Sequence, residues 1–251
     1  MTLTSPRELV ERTLALTGFR LERLDKPMHR QQEKLGQLIL DDQRRQAGAD
    51  FFFVQVGACD GVSFDSLYDF VVKHRLRGIV IEPLRDLYDD LQKNYSGCPD
   101  VLPLNVALHR NAGQIKMYRV PAGAAGAPGW TKGMSSMDPE HHKLYDVSSQ
   151  HIVTETVACI SWNDLLEQRR INRIDYLQLD TEGYDYEILD MLDFEKVRPA
   201  VIKFEHDIPT RRTTVKRFAD VISRLIEQNY HILTMPHEAI AYSRLDFQPP
   251  A

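Results

Sequence analysis

The chain has few of the residues that would mark it as a disulfide-bonded or metal-clustered protein. Its three cysteines, Cys59, Cys98 and Cys159, are far apart and odd in number. They give no disulfide framework and no redox or zinc spacing, so reduced thiols in a cytoplasmic protein are the expectation. No apolar run approaches the roughly 20 residues of a membrane span. Glu8 and Glu11 fall early and no apolar signal core accompanies them, so export is not indicated. Positive charge is not in excess: the formal net charge is −5, which speaks against a broadly basic nucleic-acid-binding surface. The dinucleotide fingerprint Gly-x-Gly-x-x-Gly is missing, and no internal repeat is evident.

What is present is an ordinary globular composition. The chain has 251 residues, of which 43% are hydrophobic and 27% charged. That fits one α/β domain with a helical appendage. Residues 1–48 read as a helical extension. Ser5-Pro6-Arg7-Glu8 has the form of a capping box ahead of a first helix closed by Gly18. A second helix is expected over 31–47. Packing against the domain, gating of a pocket and a homodimer contact are three readings of this extension.

From Phe51 the pattern becomes short apolar runs alternating with amphipathic segments. Strands are expected over 52–56, 78–81 and 101–104, with helices over 63–74 and 84–94 between them. This βαβαβ order predicts a parallel sheet with right-handed crossovers. Val106–Leu108 and Gln114–Val120 flank Asn111-Ala112-Gly113, which predicts a hairpin. Residues 121–150 break the rhythm and read as a lid or mobile insertion, with a plain surface loop as the alternative. Strands over 154–160, 174–179 and 200–204 follow, with helices from Ser161, over 184–192 and over 211–228. Residues 231–235 and 239–243 read as a closing antiparallel pair. Residues 49–251 thus form the catalytic domain in this reading.

Acids and glycines gather at the predicted strand ends, where open α/β sheets bind nucleotides. The first strand runs through Gln55 into Gly57-Ala58-Cys59-Asp60-Gly61 and on to Ser63. A pyrophosphate would meet Asp60 unfavourably, whereas a ligand carrying an ammonium and a sulfonium suits a carboxylate there. Glu82, followed by Pro83, stands about 25 residues past Gly57, near the offset at which an acid binds a ribose diol. Asn105, with Ala107 nearby, suits an adenine edge and face, and equally a turn cap. Leu177-Gln178-Leu179-Asp180-Thr181-Glu182-Gly183-Tyr184-Asp185 crowds acids at another strand end. An N-capped helix explains that block as well as a ligand site does. Lys203-Phe204-Glu205-His206-Asp207 closes the next strand. His206 can accept a hydroxyl proton, and it can equally be structural.

Taken together, Val56–Gly61, Glu82-Pro83, Asn105–Leu108, Leu177–Asp185 and Phe204–His206 resemble the FkbM-type family of S-adenosylmethionine-dependent methyltransferases. The resemblance covers about Phe51 to His206. It implies a class I methyltransferase fold, a Rossmann-like and mostly parallel sheet flanked by helices, and O-methylation of a hydroxyl on a sugar, glycan or natural product. It implies cofactor contacts at Gly57, Asp60, Gly61, Glu82 and Asn105, and Gln55, Ser63, Pro83, Ala107 and Asp180 complete the expected cofactor site. The block from Asp180 to Gly183 would close it. Cys59 stands where asparagine is frequent in the family, and Gln178 where many members carry lysine. Ser135-Ser136 with His141 and His142 resembles a stretch of the family's mobile insertion.

The expected reaction is in-line displacement at a sulfonium-bound methyl carbon, with the protein aligning the nucleophile and excluding water. His206 is the first candidate for the base, with Glu182 and Glu205 as alternatives. Asp180 and Glu205 end adjacent strands and could hold Mg²⁺; two acids held by hydrogen bonds is the preferred reading. The rivals are a nicotinamide-dependent oxidoreductase and a non-catalytic nucleotide-binding scaffold.

Overall fold

The computed structural model describes residues 26–63, 65, 67–121, 124, 131–132, 134–206 and 213–243. The expected first helix, Ser5–Gly18, lies outside them. The chain divides into two compact units, Met1–Gln37 and Leu38–Ala251. Helix α1, Lys26–Ala47, begins in the first and ends in the second.

The second unit is built on seven strands. In chain order these are β1 (Phe52–Val56), β2 (Arg77–Ile81), β3 (Val101–Leu104), β8 (Tyr176–Leu179), β9 (Val201–Glu205), β10 (Tyr230–Thr234) and β11 (Glu238–Ser243). They lie side by side as β10-β11-β9-β8-β1-β2-β3. β3, β2, β1, β8 and β9 are parallel, while β11 pairs antiparallel with both β9 and β10. The order reverses between β1 and β8. At such a switch point the connections leave in opposite directions and open a crevice at the strands' carboxyl ends.

Both faces of the sheet are covered, so the strands are apolar on both sides. Val54, Val56, Ile79, Leu177, Leu179, Ile202 and Phe204 bury one face. They pack with helices α4 (Trp162–Arg169), α5 (Asp185–Met191) and α6 (Val215–Glu227). Phe53, Val80, Tyr176 and Val201 bury the other. Their partners include Leu40 of α1, Phe70 and Val71 of α2 (Tyr68–His74), and Leu91 of α3 (Arg85–Asn94). Each fully buried large side chain contributes about 1.5–3 kcal/mol of transfer free energy. Ser161 caps its helix as the sequence indicates, its Oγ accepting from Asp164 N at 3.1 Å, while the helix expected over 211–228 is capped at Thr214, whose Oγ1 accepts from Arg217 N at 3.1 Å.

Two expectations need correction. The helix expected from Ser63 begins only at Tyr68. Asp60 accepts from Val62 N and Ser63 N, and Asp65 from Leu67 N. These local side-chain bonds offer the backbone a turn in place of a helix. The hairpin expected around Asn111-Ala112-Gly113 does not form either. β4 (Ala107–Leu108) pairs parallel with β7 (Val153–Ile160), and β5 (Gly113–Arg119) pairs antiparallel with the same strand. β7 therefore lies between them, and β6 (Ser135–Ser136) adds to β5 to complete a second sheet, β4-β7-β5-β6. Cys159 faces both Ala107 and Gly113 in register. The long eight-residue β7 satisfies both short segments at once, which a hairpin between them could not.

Among the described residues no helix is long and apolar enough to cross a membrane.

Candidate functional site

The turn after β1 owes its shape to the strands beside it. Gly57 N and Ala58 N both donate to Ile81 O, at 3.0 Å each. Asp180 N donates to Val56 O at 3.0 Å. The β1 and β8 ends are thereby drawn so close that a Cβ on Gly57 would stand 1.8 Å from Asp180 O. With φ at +80° as well, no other residue fits. Gly61, at φ +77°, is similarly closed in by Leu91 and Tyr95. Glycine is thus required here by the protein's own packing.

Asp60 is expected to face a cationic ligand, and its carboxylate is engaged within the protein. Oδ1 accepts from Val62 N at 3.0 Å and Ser63 N at 2.6 Å. Oδ2 accepts from Ser63 Oγ and Lys132 Nζ, both at 2.7 Å. Burial works against the charge, but the Lys132 ammonium and the Ser63 donors outweigh it and hold Asp60 well below the usual carboxylate range. Neither Asp60 nor Gly61 lines the cavity described below. Cys59 does line it, with its thiol pushed up to about 12 by burial and then by Glu82. A thiol that holds its proton so firmly is a poor nucleophile.

Glu82 ends β2 buried, with 3% of its surface exposed. Its Oε2 accepts from Cys59 N at 3.0 Å and its Oε1 from Leu84 N at 2.8 Å. Burial raises its pKa to about 8. Each oxygen retains acceptor capacity toward the cavity. Asn105 fills the turn-capping alternative: its Nδ2 donates to Glu82 O at 3.0 Å and Pro83 O at 2.9 Å. It lies outside the cavity lining. The apolar wall near Glu82 comes instead from Pro83, Leu87, Ala107 and Met117.

The turn after β8 divides its acids. Asp185, 1% exposed, accepts from Thr181 N at 2.9 Å, from the Thr181 hydroxyl, and from Glu205 N at 2.8 Å. It ties the turn to the end of β9. Asp180 and Glu182 line the cavity. Burial, then Asp185 and Glu182, raise the Asp180 carboxyl well above its usual range. Glu182 has left-handed backbone, φ 54°, which turns the chain sharply. Residues 135–142 grip it there: Ser136 Oγ donates to Glu182 O at 2.9 Å, and His141 Nε2 lies 3.1 Å from Glu182 Oε2.

The end of β9 carries the other two candidate bases, His206 and Glu205. His206 is 3% exposed and does not line the cavity. Its Nε2 faces Met235 O at 2.7 Å, its backbone N donates to His237 O at 2.9 Å, and Tyr186 OH donates to its carbonyl at 2.9 Å. Its ring packs against Phe218. These contacts link the end of β9 to α5 and to the β10–β11 turn. Glu205 is likewise outside the lining, and the described residues contain no metal-binding group of three His, Cys, Asp or Glu.

The elements above enclose one cavity of about 290 Å³ at the carboxyl ends of β1, β2 and β8. Of the sequence-derived site residues, Gln55, Gly57, Ser63, Glu82, Pro83, Ala107, Asp180 and Glu182 line it. The sequence reading missed Asp65, Gln178, Met117, Met134, Met137 and Tyr145 as lining residues. For the glutamines a signal existed: Gln55 and Gln178 are polar residues inside otherwise apolar buried strands, and they are partners in register.

The Methyltransferase FkbM domain family matches residues 55–232. The chain belongs to the FkbM methyltransferase family. Its α/β fold, with the parallel sheet and antiparallel β11, is that of a class I methyltransferase. Among solved structures it is similar to the FkbM methyltransferase of Methylobacillus flagellatus KT, at 14% identity and a TM-score of 0.44, over 76% of this chain and 43% of that one. It is similar to an O-methyltransferase from Bacillus cereus, solved in complex with SAH, at 12% identity and 0.39, over 97% and 93%. It is also similar to a human methyltransferase 10 domain containing protein, at 10% and 0.43, over 97% and 98%. No curated protein matches the sequence.

Proposed function

We propose that this FkbM methyltransferase transfers the methyl group of S-adenosylmethionine to a hydroxyl of a sugar, glycan or natural product. The observation that carries the reading is a single cavity lined by buried Glu82, by the apolar side chains of Pro83, Leu87, Ala107 and Met117, and by three further acids. Among the described lining residues four are acids, Asp65, Glu82, Asp180 and Glu182, and none is a lysine, arginine or histidine. A nicotinamide dinucleotide would bring a pyrophosphate into that acidic enclosure. A sulfonium cofactor brings positive charge.

The residues fit the cofactor on the protein's own evidence. Glu82 suits two ribose hydroxyls, and Pro83, Leu87, Ala107 and Met117 suit a flat, weakly polar adenine. Gln55 Oε1 and Asp65 Oδ2 are buried acceptor atoms without a hydrogen-bond partner among the described residues, so a donor-bearing ligand has a place to bind. When bound, the cofactor supplies an activated methyl carbon. The chain's part is to exclude water, align the acceptor and take its proton. We assign the proton acceptor to Glu182, which lines the cavity and has His141 Nε2 3.1 Å from its Oε2. His206 takes a packing role in this reading.

Calorimetric titration of the whole chain with S-adenosylhomocysteine and, separately, with NAD tests the proposal. Binding of S-adenosylhomocysteine alone is the expected result. Binding of NAD alone would overturn it in favour of an oxidoreductase, and binding of neither in favour of a scaffold.

A further inference from the structure

The polar floor of the cavity holds an arrangement that the family resemblance does not explain. Gln55 on β1, Gln178 on β8 and Lys203 on β9 stand in one row across three adjacent parallel strands. They share the sheet face that carries Phe53 and Tyr176, a face otherwise filled by apolar side chains. Gln55 is 2% exposed and Gln178 6%. Asp65 comes down onto this row from the turn before α2. Its Oδ1 accepts from Leu67 N at 2.8 Å. Its Oδ2 is buried without a hydrogen-bond partner among the described residues, and so is Gln55 Oε1. Both residues line the cavity.

Two buried acceptor oxygens without donors are each unfavourable by about 1–3 kcal/mol. A native protein retains such atoms where a ligand or water completes them. Resident cations do not complete these. The Lys203 ammonium donates to Glu238 at 2.8 Å, and although burial opposes its charge, Tyr176, Glu238 and Asp180 hold the proton on. The Lys132 ammonium is bound to Asp60. Burial, the largest influence, raises the Asp65 carboxyl, while Leu67 N, Gln55, Lys203 and Gln178 work in the opposite direction. A cation arriving from the cavity would favour its ionised form.

We infer that Asp65, together with Gln55 and Gln178, receives the α-ammonium group of the bound cofactor. The inference rests on the cofactor reading above. The strand order supports the placement. The end of β2, with Glu82, lies on one side of Gly57, and the end of β8 lies on the other. A ligand whose ribose meets Glu82 and whose thioether passes Gly57 extends its amino-acid end toward the Gln55–Gln178 pair. A primary ammonium carries three donors, which matches two orphaned oxygens and one further acceptor nearby. The turn acid that sequence reasoning selects for this cation, Asp60, is already neutralised by Lys132. Asp65, five residues on, takes its place.

The test measures the affinity of the whole chain for S-adenosylhomocysteine, for its analogue with the α-amino group replaced by hydrogen, and for 5′-methylthioadenosine, which lacks the amino-acid end. Wild type is expected to prefer S-adenosylhomocysteine over the desamino analogue by about 30-fold or more, the worth of one buried charge-assisted contact. In Asp65→Asn that ratio is expected to fall to about threefold, with methylthioadenosine affinity held within about twofold. Asn can still accept from Leu67 N, so the turn is preserved. A ratio in Asp65→Asn equal to that of wild type would overturn the inference and leave the cofactor reading intact. Failure of wild type to bind both S-adenosylhomocysteine and methylthioadenosine would overturn both. Gln55→Leu supplies a second arm should Asp65→Asn not fold. Removing an orphaned acceptor is expected to leave the free protein as stable or more so, while the same ratio falls. An unchanged ratio there would also count against the inference.

Discussion

The turns after β1 and β8 look alike in sequence and treat their acids differently. Each follows a buried strand and carries a glycine and more than one acid within a few residues. In the first, Asp60 is consumed by Val62, Ser63 and Lys132 and turns its back on the cavity. In the second, Asp185 is consumed by Thr181 and by Glu205 N, while Asp180 and Glu182 stay with the cavity. One acid per turn builds the loop. What remains decides the chemistry. The first turn therefore offers mainly backbone and the distant Asp65, and the second offers two carboxyl groups that line the cavity.

The largest expected effect falls where the two turns touch. Gly57→Ala drives a methyl group against Asp180 O and adds left-handed strain, so a loss of about 4 kcal/mol or more is expected. Chemical denaturation would show it as a lower midpoint. Wild-type stability in that variant would mean the turns are free to separate, and the comparison would break.

Next comes the division of labour among the acids. Asp185→Ala leaves Thr181 N and Glu205 N without their acceptor and is expected to destabilise the fold by about 3 kcal/mol. Asp180→Asn is expected to hold stability within about 1 kcal/mol and to weaken S-adenosylhomocysteine binding by about tenfold, one contact's worth. Equal stability losses in the two variants would show that the acids are not divided in this way.

Glu82 sharpens the contrast through pH. Its folded pKa is raised from 4.5 to about 8 by burial. The folded state therefore keeps a proton that the unfolded state has lost between those values, and ligand-free stability should fall as pH rises through that window and level off above it. The limiting slope is about 1.4 kcal/mol per pH unit. Glu82→Gln should remove this part of the slope. A variant that keeps the full wild-type pH dependence would show that Glu82 ionises normally.

The smallest effect is expected at the ion pair between Lys132 and Asp60 of the first turn. The Lys132 side chain is 31% exposed, so Lys132→Ala should lower stability by no more than about 1 kcal/mol. A loss as large as that of Asp185→Ala would make Lys132 an integral part of the turn.

Much of the architecture was legible because it depends on local rules. Apolar runs of strand length, the helix start at Ser161, and the alternation of strands and helices predicted the parallel sheet and its closing antiparallel pair. The strand ends located the cavity for the same reason, since ligands bind where strands stop. What stayed hidden were choices made in three dimensions. Asp60 and Asp65 are both short acids in one turn, and only the position of Lys132, 72 residues from Asp60, decides which is neutralised. Asn105 could cap or bind, and the carbonyls of Glu82 and Pro83 made it a cap. His206 has the chemistry of a base, and its placement outside the cavity lining, with Nε2 at Met235 O, could not be read from the sequence. The β4–β7–β5 order was unreadable because a strand that begins at Val153, well past the end of β5 at Arg119, inserts itself between two that are neighbours in sequence.

The central claim is that the cavity between the two turns holds an S-adenosyl ligand, with Glu82 at its ribose and the Gln55–Asp65 floor at its amino-acid end. A crystal structure of the chain grown with S-adenosylhomocysteine tests it most directly. The account predicts adenine against Ala107 and Met117, both ribose hydroxyls on Glu82, and the ammonium at Asp65. An S-adenosylhomocysteine molecule bound with its ribose away from Glu82, or a cavity still empty at saturating ligand, would contradict it.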